Sequence, residues 1–219
     1  MSDHFESRFI LETDPRTNRF VYDLPDAWWS RLYEYEWAGR FANAADVVLD
    51  AACGIPHPLK FYLSDVCKEV HACDLDGRIA SAELMRQAVA AELGPDIYAA
   101  MPDHYFDGIR YAQANLASLP YEERKFDKIF CISVLEHMQW DDIVRALSEF
   151  HRVLKDDGLL VVTFDYPTIS LPRLDEALKL TGFGYYGARS TEKPAHALRS
   201  TMWGELYCYR AVLAKRQPE

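Results

Sequence analysis

Little in this 219-residue chain suits it to cross a membrane, grip a nucleic acid or be stapled by disulfides. No apolar run reaches the roughly 18 residues of a membrane-spanning helix. The first residues, MSDHFESRFILETD, carry acids where a secretory leader has basic residues and a long apolar stretch, so no leader is expected. Positive charge is scarce: 24 Lys+Arg stand against 34 Asp+Glu, a formal net charge of −10. Nucleic acids and anionic membrane surfaces are both held through Lys and Arg, so neither is expected as a partner. The five cysteines (Cys53, Cys67, Cys73, Cys131, Cys208) are odd in number, and no two stand at a C-x-x-C spacing. Three lie in or beside apolar runs. That is the pattern of reduced thiols serving as small apolar fillers, so a cytoplasmic protein is expected, with no disulfide framework and no metal site. Internal repeats and low-complexity tracts are also absent.

What is present is an ordinary globular balance with an aromatic excess. Hydrophobic residues make up 49% and charged residues 26%, enough for a sizeable core. The length fits one domain, or one with a small appendage. Aromatic residues reach 13%, and Trp28, Trp29, Tyr33, Tyr35 and Trp37 crowd into ten positions. From Pro25 to Phe41, the spacing of Trp29, Leu32, Tyr33, Trp37 and Phe41 predicts a helix with one apolar face. Beyond it, apolar runs alternate with helical patterns. Strands are predicted at 46–50, 69–73, 109–113, 126–133, 158–164 and 205–215. Helices are predicted at 78–92, 141–155 and 174–183, with an irregular insertion at 95–108. This alternation implies βαβ units and a mostly parallel sheet. No clear helix is read in the roughly 20 residues just before the final strand, so an antiparallel hairpin is expected at the C-terminal sheet edge.

In such sheets ligands bind beyond the carboxyl ends of the strands. The turn after the first strand opens with a carboxylate, Asp50, and holds one glycine, Gly54. An acid there repels phosphate and suits a cofactor part that is cationic or neutral. Asp74 ends the second strand, 24 residues further on. That is close to the roughly 20-residue offset at which an acid accepts hydrogen bonds from ribose hydroxyls. A nucleoside without phosphate and with a cationic tail meets both conditions, and S-adenosylmethionine is such a molecule.

The segments VVLDAACG, VHACDLD, QANLASLPYEERKFDKIFCISVLEHM and FHRVLKDDGLLVVT resemble, in order and spacing, the class I S-adenosylmethionine-dependent methyltransferase family over residues 46–165. The resemblance implies a doubly wound, seven-stranded, Rossmann-like α/β fold. It implies cofactor binding by Asp50, Ala51, Ala52, Cys53 and Gly54 of the first turn. Asp74 takes the place of the family's ribose acid, and Leu75 and Leu116 would sandwich the adenine. Asn115 stands where the family carries an adenine-binding acid, and Ser133 ends the fourth strand. The family pattern D-x-G-x-G-x-G becomes Asp50-Ala51-Ala52-Cys53-Gly54-Ile55-Pro56, with one glycine kept and a proline added, so the loop over 55–57 is expected to be re-routed.

The expected reaction is methyl transfer to a small polar molecule, at a hydroxyl of sugar or natural-product type. Nitrogen or sulfur acceptors, a macromolecular substrate, and a non-catalytic cofactor-binding subunit are the alternatives. The segment N-P-P-Y of amino-group methylases is missing. His137, Tyr166 and Asp165 lie at strand ends suited to a proton acceptor. Trp28, Arg31, Tyr33 and His137 are the expected acceptor-binding residues. His57, between two prolines, reads as a loop residue. Residues 1–45 are expected to form a helical cap and 46–219 the cofactor-binding domain. The acceptor's identity and the oligomeric state are not legible in the sequence.

Overall fold

A computed structural model describes residues 3–216. Its centre is an eight-stranded mixed sheet. The strands are β1 (Arg8–Phe9), β2 (Val47–Ala51), β3 (Glu69–Asp74), β4 (Arg110–Gln113), β5 (Phe126–Ile132), β6 (Leu154–Tyr166), β7 (Phe183–Tyr185) and β8 (Tyr207–Lys215). Their order is β1-β8-β6-β5-β2-β3-β4, with β7 also pairing β8. Strands β2 to β6 run parallel to one another, and β8 runs antiparallel to β6. The chain winds outward from β2 through β3 to β4, then returns to the other side of β2 as β5. That reversal opens a crevice at the carboxyl ends of β2 and β5, the switch point where open α/β sheets bind ligands.

The helices are α1 (Arg31–Gly39), α2 (Leu59–Val66), α3 (Ala82–Leu93), α4 (Pro95–Ala99), α5 (His104–Asp107), α6 (Trp140–Val153) and α7 (Leu171–Thr181). Successive strand residues pack into different cores: Leu49 joins Phe126, Ile129, Phe150 and Phe164, while Val48 joins Phe61, Val70, Phe130 and Val161. Both faces are covered, so β2 shows no polar alternation in sequence. No helix among the described residues is long and apolar enough to cross a membrane.

Several elements differ from expectation. The predicted helix over 25–41 begins only at Arg31. Residues 25–30 make two turns instead, closed by Trp28 N–H to Pro25 C=O at 2.9 Å and Arg31 N–H to Trp28 C=O at 3.1 Å. The insertion at 95–108 holds two short helices, anchored by buried Tyr105 and Phe106. The N-terminal segment is built into the sheet: β1 pairs β8 beyond its expected edge, and Phe9 joins the main core. The eighth strand follows from this addition and from the short β7, which closes the expected antiparallel hairpin with β8.

Candidate active site

The carboxyl ends of β2 to β5 enclose a cavity of about 390 Å³. Of the residues expected to hold a cofactor, it gathers Asp50, Ala52, Cys53 and Gly54 from the first turn, and Asp74 and Leu75 from the second. Asn115, Leu116 and Ser133 complete the expected set on its walls. Ala51 is the exception. It is the last residue of β2, and its side chain points into the core rather than the cavity.

Left-handed backbone shapes this turn. Ala52 has φ 53° and Gly54 φ 58°, and on the opposite wall Ser133 has φ 49°. The conformation is strained for alanine and serine and free for glycine. Gly54 is also required by space, since a Cβ there would lie 2.4 Å from His57 Cδ2. The re-routed loop after it is pinned by Lys60, which is fully buried in the first turn of α2. Its ammonium donates to the carbonyls of Gly54 at 2.6 Å, His57 at 2.6 Å and Ile55 at 3.0 Å. The loop carbonyls thus curl around a single buried lysine.

The polar groups of the cavity are unevenly satisfied. Asp74 accepts from Gly54 N–H at 2.8 Å and Asp76 N–H at 3.0 Å, which fixes its carboxylate at the cavity wall. Asn115 Oδ1 accepts from Ala117 N–H at 2.9 Å in a local turn, orienting its amide. Asp50 is buried, and its Oδ2 has no hydrogen-bond partner. Burial pushes its acid up to about 7; Lys60 opposes this and Asp74 adds to it. A buried, orphaned carboxylate oxygen is a costly feature that a cationic or hydrogen-donating group relieves. Leu75 is 66% exposed at the rim, an apolar surface suited to a flat ring. These donors, acceptors and apolar surfaces fit an adenosine with an amino-acid tail.

Helix α1 is fastened beside this cavity by a fully buried carboxylate, Glu34. Its Oε2 accepts from Arg31 at 2.5 Å and Ser30 at 2.9 Å. Its Oε1 accepts from Ser133 at 2.6 Å, Thr163 at 2.5 Å and Cys208 at 3.4 Å. Burial opposes the charge, yet Arg31 and the hydroxyls outweigh it and hold Glu34 below the usual carboxylate range. Next to it Tyr35 OH lies 2.6 Å from His57 Nδ1, and Trp28 stacks on His57 with centroids 4.3 Å apart. Burial, with Arg31 and Lys60 nearby, pushes His57 down to about 3, so the ring is neutral.

A second cavity of about 710 Å³ adjoins the first, and Arg31, His57 and His137 line both. Its other walls include Trp28, Trp29, Trp203, Glu136 and Asp165. Both Glu136 carboxylate oxygens and Asp165 Oδ1 are buried without a hydrogen-bond partner. Burial pushes Glu136 up to about 8 and Asp165 up to about 6.

Of the residues expected at the acceptor, His137, Asp165, Trp28 and Arg31 converge on this second cavity. Tyr166 and Tyr33 do not. Tyr166 follows Asp165 on a strand, so it faces the other way and packs edge-on against Phe9. Tyr33 is buried with Ile10, Leu198 and Cys208, and its hydroxyl reaches Glu12 C=O at 3.3 Å. His57, read as a loop residue, stands between the cavities. Sequence reasoning also passed over Glu34, Lys60, Glu136 and Trp203, and left Tyr35 among the crowded aromatics without a role. Of the four, only Glu136 carried a signal, as the acid beside His137 in SVLEH. A lone Glu or Lys in a helix reads as solvent-facing, and here both are buried.

Residues 49–162 match the methyltransferase-domain family, which is more than half of the chain. The chain belongs to the class I S-adenosylmethionine-dependent methyltransferases. An uncharacterised protein of Methanocaldococcus jannaschii is 43% identical over 124 residues, which is 56% of this methyltransferase. The match spans 43% of that relative's length, less than half. Among solved structures, a TehB-like S-adenosylmethionine-dependent methyltransferase of Corynebacterium glutamicum is similar at TM-score 0.56 and 21% identity, covering 84% of this chain and 87% of its own. The 1,6-didemethyltoxoflavin-N1-methyltransferase of Burkholderia thailandensis, crystallised with S-adenosylhomocysteine, is similar at TM-score 0.58 and 18% identity, over 88% of this chain and 82% of its own. The [4+2]-cyclase SpnF reaches TM-score 0.63 at 16% identity, covering 96% of this chain and 87% of its own. These three likenesses concern the fold, which by itself does not choose a reaction.

Proposed function

We propose that this methyltransferase transfers the methyl group of S-adenosylmethionine to a hydroxyl of a small polar molecule. The observation that carries the reading is the junction of two cavities through Arg31, His57 and His137. The first offers groups suited to the cofactor. The second, at about 710 Å³, lies within the range of small-molecule sites. The acidic balance of the chain supports a small acceptor over a nucleic acid.

In this reading Asp50 and the turn from Ala52 to Gly54 hold the cationic amino-acid end of the cofactor. Asp74 takes the ribose hydroxyls, Leu75 and Leu116 enclose the adenine, and the Asn115 amide reads its edge. The backbone of Ser133 closes the wall. When bound, the cofactor supplies an electrophilic methyl group. The protein orients the acceptor, excludes water and receives the hydroxyl proton. His137 and Asp165, both on the acceptor cavity, are the proton acceptors within this proposal.

Two measurements test it. Transfer of labelled methyl from the cofactor to members of a panel of sugars, phenols and amines identifies the acceptor; turnover confined to amines would overturn the hydroxyl assignment. Asp74→Ala is expected to weaken S-adenosylhomocysteine binding by about tenfold or more, a loss of about 1.4 kcal/mol. Unchanged affinity in a calorimetric titration would remove Asp74 from the cofactor site.

A further inference from the structure

The acceptor cavity holds two carboxyl groups whose buried oxygens have no hydrogen-bond partner. The ionisable groups on its walls come from four parts of the fold. Arg31 comes from α1, His57 from the loop before α2, Glu136 and His137 from the turn after β5, and Asp165 from β6. Arg31, on the wall of both cavities, is hydrogen-bonded and ion-paired to Glu34, and its charge partly offsets Glu136 and Asp165. His57 is uncharged and held by Tyr35. His137, Glu136 and Asp165 remain, and the two acids have three carboxyl oxygens buried and unpartnered between them. Trp28, Trp29 and Trp203 supply the apolar walls around the carboxylates, and Trp203 is 66% exposed.

Resting on the methyl-transfer reading for the location of the acceptor, we infer that this cavity selects an acceptor bearing a protonated amine, held by Glu136 and Asp165 among tryptophan side chains. Three lines of chemistry converge on that class. An ammonium brings three N–H donors and a positive charge, so it fills the empty hydrogen bonds and supplies a counter-charge to whichever acid is ionised. A neutral polyol fills the hydrogen bonds but gives an ionised acid no counter-charge. An anionic acceptor meets like charge. Indole faces beside carboxylates form the surroundings in which ammonium groups are recognised through the ring quadrupole. The neighbouring sulfonium adds a constraint of its own, because a cationic acceptor can approach a cationic donor only across an anionic wall. The hydroxyl acceptor proposed above therefore becomes an amino alcohol or amino sugar, with the amine as the handle on Glu136 and Asp165 and His137 left as the proton acceptor.

The test separates binding from turnover. The protein is saturated with S-adenosylhomocysteine and titrated with cyclohexylammonium, cyclohexanol or cyclohexanecarboxylate, one ring carrying charge +1, 0 or −1. Intrinsic tryptophan fluorescence reports occupancy. The ammonium is expected to bind about tenfold tighter than the alcohol, and the carboxylate not to saturate. E136Q and D165N are each expected to lower ammonium affinity about fivefold, with S-adenosylhomocysteine affinity by calorimetry unchanged as evidence of folding. Equal or tighter binding of the alcohol, saturation by the carboxylate, no saturable probe, or variants indistinguishable from wild type would each overturn the inference. Those results leave the methyltransferase reading standing wherever S-adenosylhomocysteine still binds. Failure of S-adenosylhomocysteine to bind the wild type sinks that reading itself.

Discussion

Gly54 shows how much of this site rests on single residues. Its φ of 58° and the 2.4 Å separation between a virtual Cβ and His57 Cδ2 exclude a side chain. Its N–H also holds Asp74 in place. Gly54→Ala is therefore expected to displace His57 from Trp28 and release Asp74. Left-handed strain alone costs about 1 kcal/mol. S-adenosylhomocysteine affinity should fall about tenfold or more, measured by calorimetry. Asp50 supports a different prediction. With its acid pushed up to about 7, it is largely protonated in the empty protein below that pH. A bound cation favours the charged form, so binding expels a proton. Cofactor affinity should rise as pH climbs towards about 7, and calorimetry in buffers of different ionisation heat should detect proton release. Asp50→Asn should flatten this slope. Asp50, Gly54 and Asp74 were legible in sequence because their spacing after apolar runs is diagnostic. Glu136 was not, because what distinguishes it is burial without a partner, which only tertiary packing creates.

At the scale of the element, α1 is the instructive case. Its apolar spacing announced a helix, and the aromatic crowding marked it as unusual. The pattern nonetheless placed the helix start six residues early and set Tyr33 at the acceptor. Two turns over 25–30 move Trp28 against His57, while Tyr33 rotates into a small core with Ile10 and Leu198. The helix is fixed in its orientation less by its apolar stripe than by Glu34, whose partners lie on α1, after β5, on β6 and on β8. A carboxylate gathering distant hydroxyls leaves no trace in local sequence. Glu34→Ala strands the Arg31 charge and frees four further donors, three hydroxyls and a thiol. Breaking a buried ion pair from one side costs about 3–5 kcal/mol. Urea denaturation should show a loss of that order, and fluorescence quenching should find Trp28 more accessible. An unchanged midpoint would mean that α1 is held by its apolar contacts alone. The parallel core strands were read correctly because their uninterrupted apolar runs reflect burial on both faces. The two-residue β1 was invisible, since its pairing depends on β8, some 200 residues away in the chain.

For the whole molecule, the unpaired carboxylates make an unusual demand on stability. Asp50 and Glu136 hold protons in the folded state up to about 7 and about 8, well above the ordinary carboxyl range. An acid with a raised folded value binds protons that the unfolded chain has already released. It therefore stabilises the fold at low pH, and that contribution fades as pH rises through the folded value. The buried histidines act in the opposite sense: His57 and His71 are both lowered, so their neutral burial destabilises the fold only below their ordinary value of 6.5. Carboxylates such as Glu34 and Asp14, held below the usual range, add stability that is lost only in stronger acid. Above about 6.5 the histidine contribution dies away over the next pH unit, and Asp50 and Glu136 dominate the slope, with the buried cysteines adding in the same sense near pH 8. The empty protein should lose about 2 kcal/mol of stability between pH 6.5 and 8, where most proteins are flat. Chemical denaturation at the two pH values measures this. E136Q should remove most of the slope, because Glu136 titrates highest in the window. Saturating S-adenosylmethionine should reduce the Asp50 share, because a bound cation lowers its acid towards the ordinary range. A slope that persists unchanged in E136Q and D50N together would show that these carboxylates are solvated in the free protein, and the charge argument for both cavities would fall with it.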